Sequence, residues 1–137
     1  MAKSRIAVIV GSNRRDSINR KLARALAKLG ADKFDASFVR IDDLAMFNQD
    51  LEGNLPEEAV RFKSELANAD GVLIVTPEHD RSMPALLKNA IDWASRPPDQ
   101  PLAGKPAAVM GASGGPVGTA RAQYHLRQMG VFVDLKF

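Results

Sequence analysis

Four ionisable residues stand side by side in the segment TPEHDRSMPALLKNAIDW at residues 76–93, namely Glu78, His79, Asp80 and Arg81. Carboxylates next to an imidazole are the groups that general acid–base catalysis uses. The same four groups could instead clamp a cofactor or form a solvated turn. The residue types alone leave these three interpretations open.

A second segment, GSNRRDSINRKLA at residues 11–23, has the composition of a phosphate cradle. Gly11 lets the backbone turn sharply, and the segment leads into a helix, whose first N–H groups attract anions. It has neither the Gly-Lys-Ser/Thr ending of a Walker A loop nor the later glycines of a dinucleotide fingerprint. An ordinary strand–helix turn with Ser or Asp as N-cap is the alternative.

A third segment, GASGGPVGTA at residues 111–120, contains four glycines and two small hydroxyl residues. Such a loop allows a flat ligand to lie close against the backbone, because glycine has no side chain to obstruct it. The alternative interpretation is a flexible turn.

Alternating strands and helices must position these three segments. Apolar runs predict strands at residues 6–10, 71–75, 106–110 and 131–135, and a weaker edge strand at residues 34–41. Helical periodicity predicts four helices: residues 18–29, one from Pro56, one from Pro84 with Ser82 as N-cap, and residues 118–129. This order predicts an α/β fold with a doubly wound parallel sheet of five strands. Ligands bind such sheets at the carboxyl ends of the strands, where all three segments lie.

The predicted sheet lacks the final helix that normally covers one of its faces. We therefore expect apolar strand surface near the first helix to be bare. Neither repeats nor an interdomain linker interrupt the chain, so residues 1–137 are expected to form a single domain.

Composition excludes several classes of protein. The 45% of apolar residues is enough for a core, and the absence of cysteine excludes disulfides and zinc–thiolate sites and fits a cytoplasmic location. The net charge of +3 comes from scattered Lys and Arg, so no nucleic acid is expected as partner. No apolar stretch is long enough to span a membrane, and the two histidines form no metal motif.

Three motifs together resemble the NADPH-dependent FMN reductase family, a flavodoxin-like family that includes quinone, chromate and azo reductases. They are Gly-Ser-x-Arg-x-x-Ser-x-Asn at 11–19, Thr-Pro-Glu at 76–78 followed by LKNAIDW at 87–93, and GTARAQYHLRQ at 118–128. The resemblance implies a flavodoxin-like strand order of 2-1-3-4-5. It also implies FMN as cofactor and NAD(P)H as co-substrate. The reaction implied by the resemblance is hydride transfer through the flavin to a quinone, an azo compound, chromate or free flavin, with no side chain needed as a catalytic acid or base.

The resemblance also implies which residues bind the cofactor. The phosphate group is assigned to Ser12, Arg14, Ser17, Ile18 and Asn19; the ring is flanked by Pro77, Glu78, His79, Asp80, Arg81 and Ser82; and Ser113, Gly114 and Gly115 close over it. The implied partners are a small-molecule electron acceptor and further copies of the chain, in a homodimer or homotetramer. Candidate contact residues between the copies are Asp92, Arg121 and Tyr124.

Two departures from the family pattern motivate an alternative function. His79-Asp80 stands where the family usually has Tyr-Asn, and an ionised Asp beside a flavin would oppose the negative charge of the reduced ring. The final helix is also missing. The alternative is a flavodoxin-like assembly or interaction domain with weak or absent FMN binding and no turnover. A flavodoxin-type electron carrier is disfavoured by the pI of about 9.4, since such carriers are usually acidic.

Overall fold

The computed structural model describes residues 1–137 and consists of four strands that alternate with four helices. The strands are β1 (Ser4–Val10), β2 (Phe34–Phe38), β3 (Gly71–Val75) and β4 (Ala107–Met110); the helices are α1 (Ile18–Leu29), α2 (Glu57–Ala67), α3 (Ala85–Ala94) and α4 (Ala120–Phe132). All strand pairs are parallel, in the order β2-β1-β3-β4. This order confirms the flavodoxin-like prediction for its first four strands.

The central strands β1 and β3 are buried on both faces, as their continuous apolar runs predict. Along β1, Ala7 and Ile9 belong to the larger core of 21 buried residues, which also contains side chains of α2, α3 and α4. Val8 and Val10 belong instead to a smaller cluster of five buried residues that packs against α1. Helices therefore lie on both faces of the sheet, which makes the fold doubly wound.

The prediction of a fifth strand at residues 131–135 is wrong. Helix α4 continues through Phe132 and ends in a Schellman motif, in which Asp134 has φ 57° and the Leu135 N–H donates to the Gly130 carbonyl at 2.9 Å. The chain returns to the sheet only at Lys136, which forms a single parallel bridge with Pro106 beside β4. The apolar run was too short to distinguish a strand from a buried helix end.

An apolar groove of about 690 Å³ lies beside α1, where the sequence predicts bare apolar strand surface. Leu26 and Leu29 of α1 form one side, and Ile6, Leu73 and Met110 of the sheet contribute to its floor. No helix of the structure covers this part of the face. None of the four helices combines the length and apolar character needed to cross a bilayer.

Candidate functional site

The carboxyl ends of β1, β3 and β4 pack closely around one buried threonine. Thr76 follows β3 and lies between Gly11, which follows β1, and Gly111, which follows β4. A Cβ on Gly11 would lie 2.8 Å from Thr76 Oγ1, and one on Gly111 would lie 2.2 Å from the Thr76 carbonyl oxygen. Both glycines are therefore required by this close approach, and the three segments leave the sheet side by side.

The segment after Gly11 forms a capped helix start. The buried Ser17 side chain accepts the N–H of Arg20 at 3.2 Å, which confirms a serine as the N-cap of α1. The backbone N–H groups of Ile18 and Asn19 have no acceptor within the protein. Ser12 Oγ accepts the Arg14 N–H at 3.3 Å, and the Arg14 side chain is exposed. The arrangement offers free amide donors and an arginine to an anion.

Asn19 joins this segment to the glycine-rich segment at 111–118. Its Oδ1 accepts the Ala112 N–H at 2.8 Å, and its Nδ2 donates to the Ala112 carbonyl at 3.1 Å. Only 1% of the residue is exposed. The side chain thus bonds to both backbone groups of one residue on a different loop.

Residues 79–82 form a tight hairpin turn rather than part of the α3 cap. His79 and Ser82 exchange two backbone hydrogen bonds of 2.9 and 2.8 Å, while Asp80 and Arg81 both have positive φ, as a type I′ turn requires. The prediction of Ser82 as N-cap of α3 is wrong, because Pro84 occupies that position. Ser82 Oγ instead contacts His125 Nδ1 of α4 at 2.6 Å.

Glu78 lies in the segment after β3 and caps the first turn of α4. Its carboxylate accepts the backbone N–H groups of Arg121 and Ala122 at 2.8 and 3.1 Å, and it also accepts the Arg121 guanidinium at 2.7 Å. The hydrogen bond from the Arg121 side chain, followed by those from the backbone, lowers the pKa of Glu78 despite the opposing effect of desolvation. Glu78 is therefore ionised at neutral pH and unsuited to donate a proton.

These segments surround a cleft of about 510 Å³ at the carboxyl edge of the sheet. The structure brings together ten of the predicted site residues in its lining: Ser12, Arg14, Ser17, Ile18, Asn19, Pro77, Glu78, His79, Ser113 and Gly114. Four predicted residues do not line the cleft, namely Asp80, Arg81, Ser82 and Gly115. The departure from the family pattern at position 80 therefore lies outside the cleft wall.

Sequence reasoning missed several residues that line the cleft, namely Asn13, Pro84, Ala85, Leu86 and Ala112. The first turn of α3 contributes three of them, and Pro84 signalled a helix start at this same edge. Ala112 takes part through its backbone, which no side-chain pattern reveals. Arg20 was also missed, although its Nη2 donates to the Ser12 carbonyl at 3.0 Å and thereby supports the loop at 11–19.

Comparison with known proteins places the chain in a family. The profile of the family described as NADPH-dependent FMN reductase matches residues 4–136. A 2-hydroxy-1,4-benzoquinone reductase from Burkholderia sp is 53% identical over 132 residues, which cover 96% of this chain and 72% of the relative. A quinone reductase from Escherichia coli (strain K12) is 43% identical over 135 residues, with coverages of 96% and 72%.

Solved structures show the same likeness. The flavoenzyme NAD(P)H:(acceptor) oxidoreductase FerB from Paracoccus denitrificans superposes with a TM-score of 0.92 at 43% identity, covering 96% of this chain and 73% of FerB. An NADH:FMN oxidoreductase in its apo form superposes with a TM-score of 0.73 at 28% identity, covering 97% of this chain and 72% of that one. The matched motifs, the strand order and these similarities agree, and the chain belongs to the NADPH-dependent FMN reductase family.

Proposed function

We propose that the protein is an FMN-dependent NAD(P)H oxidoreductase that reduces a small-molecule acceptor of the quinone class. The observation that carries this proposal is the convergence of three loops on one cleft at the carboxyl edge of the sheet. The cleft volume of about 510 Å³ lies within the range of ~300–1,000 Å³ that is typical of small-molecule and cofactor sites. Azo compounds, chromate and free flavin are further acceptors to be tested.

The chemistry of the loop at 11–19, here called the phosphate loop, suits the phosphate group of FMN. The free N–H groups of Ile18 and Asn19 lie at the positive end of a 12-residue helix, where an anion is favoured. Arg14 lines the same part of the cleft and is not paired with a carboxylate. Ser17 is buried as the helix cap, so it holds the amides in place for the anion.

The other two loops suit a flat ring. Pro77 and His79 present rigid or planar side chains to the cleft, and Ser113 and Gly114 offer small ones. When bound, FMN supplies the hydride chemistry between NAD(P)H and the acceptor. The residues of the chain bind and orient the reactants. Glu78 does not act as a proton donor, because Arg121 and α4 hold its carboxylate ionised.

The alternative of a non-redox assembly domain loses one of its two motives. Asp80 is exposed and lies outside the cleft lining, so its charge is screened by solvent rather than buried beside the ring. His79 keeps a planar side chain in the cleft wall. The substitutions at 79 and 80 are therefore compatible with FMN binding.

A flavin absorption spectrum of the purified protein tests the proposal. We expect the absorbance of protein-bound flavin to rise as FMN is titrated in. NADPH should then bleach this absorbance under anaerobic conditions. Steady-state NAD(P)H oxidation should then require a quinone. A protein that binds no FMN on titration and oxidises no NAD(P)H with any quinone would sink the proposal.

We further propose that copies of the chain associate through α4 as a homodimer or homotetramer in the cytoplasm. Tyr124, which is 72% exposed, lies on one stripe of α4 with the exposed Val131 and Phe132. Asp92 and Arg121 form ion pairs within the chain, with Lys88 and Glu78 respectively. Of the three candidate contact residues, Tyr124 is therefore the most available to another copy. Sedimentation of Phe132→Glu should show dissociation if this stripe forms the contact, and an unchanged mass would count against it.

A further inference from the structure

The glycine-rich loop that lines the cleft has few hydrogen bonds of its own. Within residues 112–118, the Gly115 N–H donates to Ser113 Oγ at 3.1 Å and the Gly118 N–H donates to the Gly115 carbonyl at 3.1 Å. Both bonds are local. The bonds that tie these residues to another part of the chain are the two between Ala112 and the side chain of Asn19.

Asn19 reaches this loop from the first turn of α1, across 93 residues of sequence. Because the residue is only 1% exposed, and Ala112 occupies its amide oxygen and an N–H, little of the side chain is accessible to a ligand. Its own backbone N–H, by contrast, is free at the helix start. The side chain and the backbone of Asn19 therefore serve two different purposes.

We propose that Asn19 is a positioning residue whose side chain holds the glycine-rich loop against the phosphate loop and so sets the shape of the cleft for the flavin. This inference rests on the proposed function, because it assigns Asn19 a role toward the same cofactor. The residue acts through Ala112 rather than as a side-chain ligand of the phosphate. Its loss should weaken binding of the whole cofactor, including the part that carries no charge.

The chain contains a matched control with the same chemistry elsewhere. Asn89 is 5% exposed, its Oδ1 accepts the Phe47 N–H at 2.7 Å, and its Nδ2 donates to the Ala45 carbonyl at 3.0 Å. It fastens the connection between β2 and α2 to α3, and it does not line the cleft. Truncation of Asn89 removes equivalent bonds without touching either cleft loop.

The experiment compares Asn19→Ala with Asn89→Ala. FMN and riboflavin affinities are measured by fluorescence titration, and stability is measured without flavin by urea unfolding. We expect both variants to lose stability, while Asn19→Ala alone raises the Kd for FMN at least tenfold and raises that for riboflavin by a similar factor. Should Asn19→Ala fold poorly, Asn19→Leu keeps most of the volume while removing both hydrogen bonds.

Three results would overturn the inference. Equal flavin affinities in the two variants would make Asn19 a stability residue only, and a loss confined to FMN would make it a phosphate ligand. Hydrogen exchange without flavin is an independent test: Asn19→Ala should accelerate exchange of the hydrogen-bonded amides of Ala112, Gly115 and Gly118, and Asn89→Ala should not. If the wild type bound no FMN, the proposed function would fail, yet unchanged exchange at 112–118 would still refute the positioning role by itself.

Discussion

The carboxylate of Glu78 and the guanidinium of Arg121 are joined across 43 residues of sequence, at the point where the loop at 76–82 meets α4. The same carboxylate accepts the backbone N–H groups of Arg121 and Ala122. Its side chain is only 7% exposed, whereas that of Arg121 is 45% exposed. One residue of the family motif therefore fastens the loop beside the cleft to the start of a helix, where the positive end of the helix dipole stabilises a negative charge.

Replacement of Glu78 by Gln should lower Tm at neutral pH, because the amide keeps an acceptor but loses the charge. The pKa of Glu78 is lowered in the folded state, chiefly by the Arg121 side chain. Its contribution is therefore complete above the ordinary glutamate pKa and is lost as pH falls through the lower folded-state value. The Tm difference between wild type and E78Q should shrink in that acid range.

Thermal unfolding of both proteins as a function of pH measures this difference. Glu57→Gln is the control, since Glu57 is exposed in the first turn of α2 and has no ion-pair partner. A difference between E78Q and wild type that stays constant into the acid range would contradict the assignment of Glu78 as a charged cap.

Replacement of Gly111 by Ala should destabilise the protein by about 1–3 kcal/mol, because the new methyl group collides with neighbouring atoms. It would lie 2.2 Å from the Thr76 carbonyl oxygen and 2.3 Å from Thr119 Oγ1. Gly114→Ala is the control in the same loop, since nothing lies within 4 Å of its added Cβ. Urea unfolding should give a lower midpoint for the first variant alone, and equal midpoints would show that the floor of the cleft can relax.

Replacement of Arg81 by Gly should stabilise the protein by about 1 kcal/mol. Arg81 has φ 65°, a left-handed conformation that glycine adopts without the penalty of a Cβ, and this gain exceeds the added entropy of the unfolded chain. Arg81→Ala, which loses the same side chain but keeps the Cβ, should give no such gain. Urea unfolding of the three proteins separates the backbone effect from that of the charge.

Replacement of Arg14 by Ala should weaken FMN binding by about tenfold or more, because a charge-assisted hydrogen bond to the phosphate is lost. Stability without FMN should not change, since Arg14 is exposed and makes no ion pair in the protein. Arg24→Ala serves as the control, because Arg24 is exposed on α1 outside the cleft. Equal FMN affinities in the two variants, measured by fluorescence titration, would remove Arg14 from the proposed phosphate site.

The sequence predicted the elements in which buried apolar residues follow one another or recur at helical spacing. Strands β1 and β3 are apolar at every central position, and α1 begins and ends where its periodicity and Ser17 predict. The end of α4 could not be predicted, since its termination depends on Asp134 in a left-handed conformation that few non-glycine residues adopt. The apolar run at 131–135 therefore has the pattern of a strand although it forms a helix end.

The candidate site was predicted as a set of loops, but not as a set of contacts. The motif placed Asn19 and Glu78 at the cleft, where both are found. Their bonds to Ala112 and α4 depend on segments 93 and about 43 residues away, whose approach only the folded chain defines. The turn at 79–82 likewise carries Asp80 away from the cleft through positive φ angles that the residue types do not announce.

The backbone pairing of His79 with Ser82 has a consequence for protein engineering. Because the two ends of the turn are joined by main-chain hydrogen bonds, the two residues between them form a replaceable cassette. Asp80 and Arg81 do not line the cleft, so a library that varies or lengthens this turn leaves the cleft lining unchanged in sequence, including the segment at 11–19. Positions 80 and 81 are therefore suited to carry a label or an inserted peptide beside the cleft.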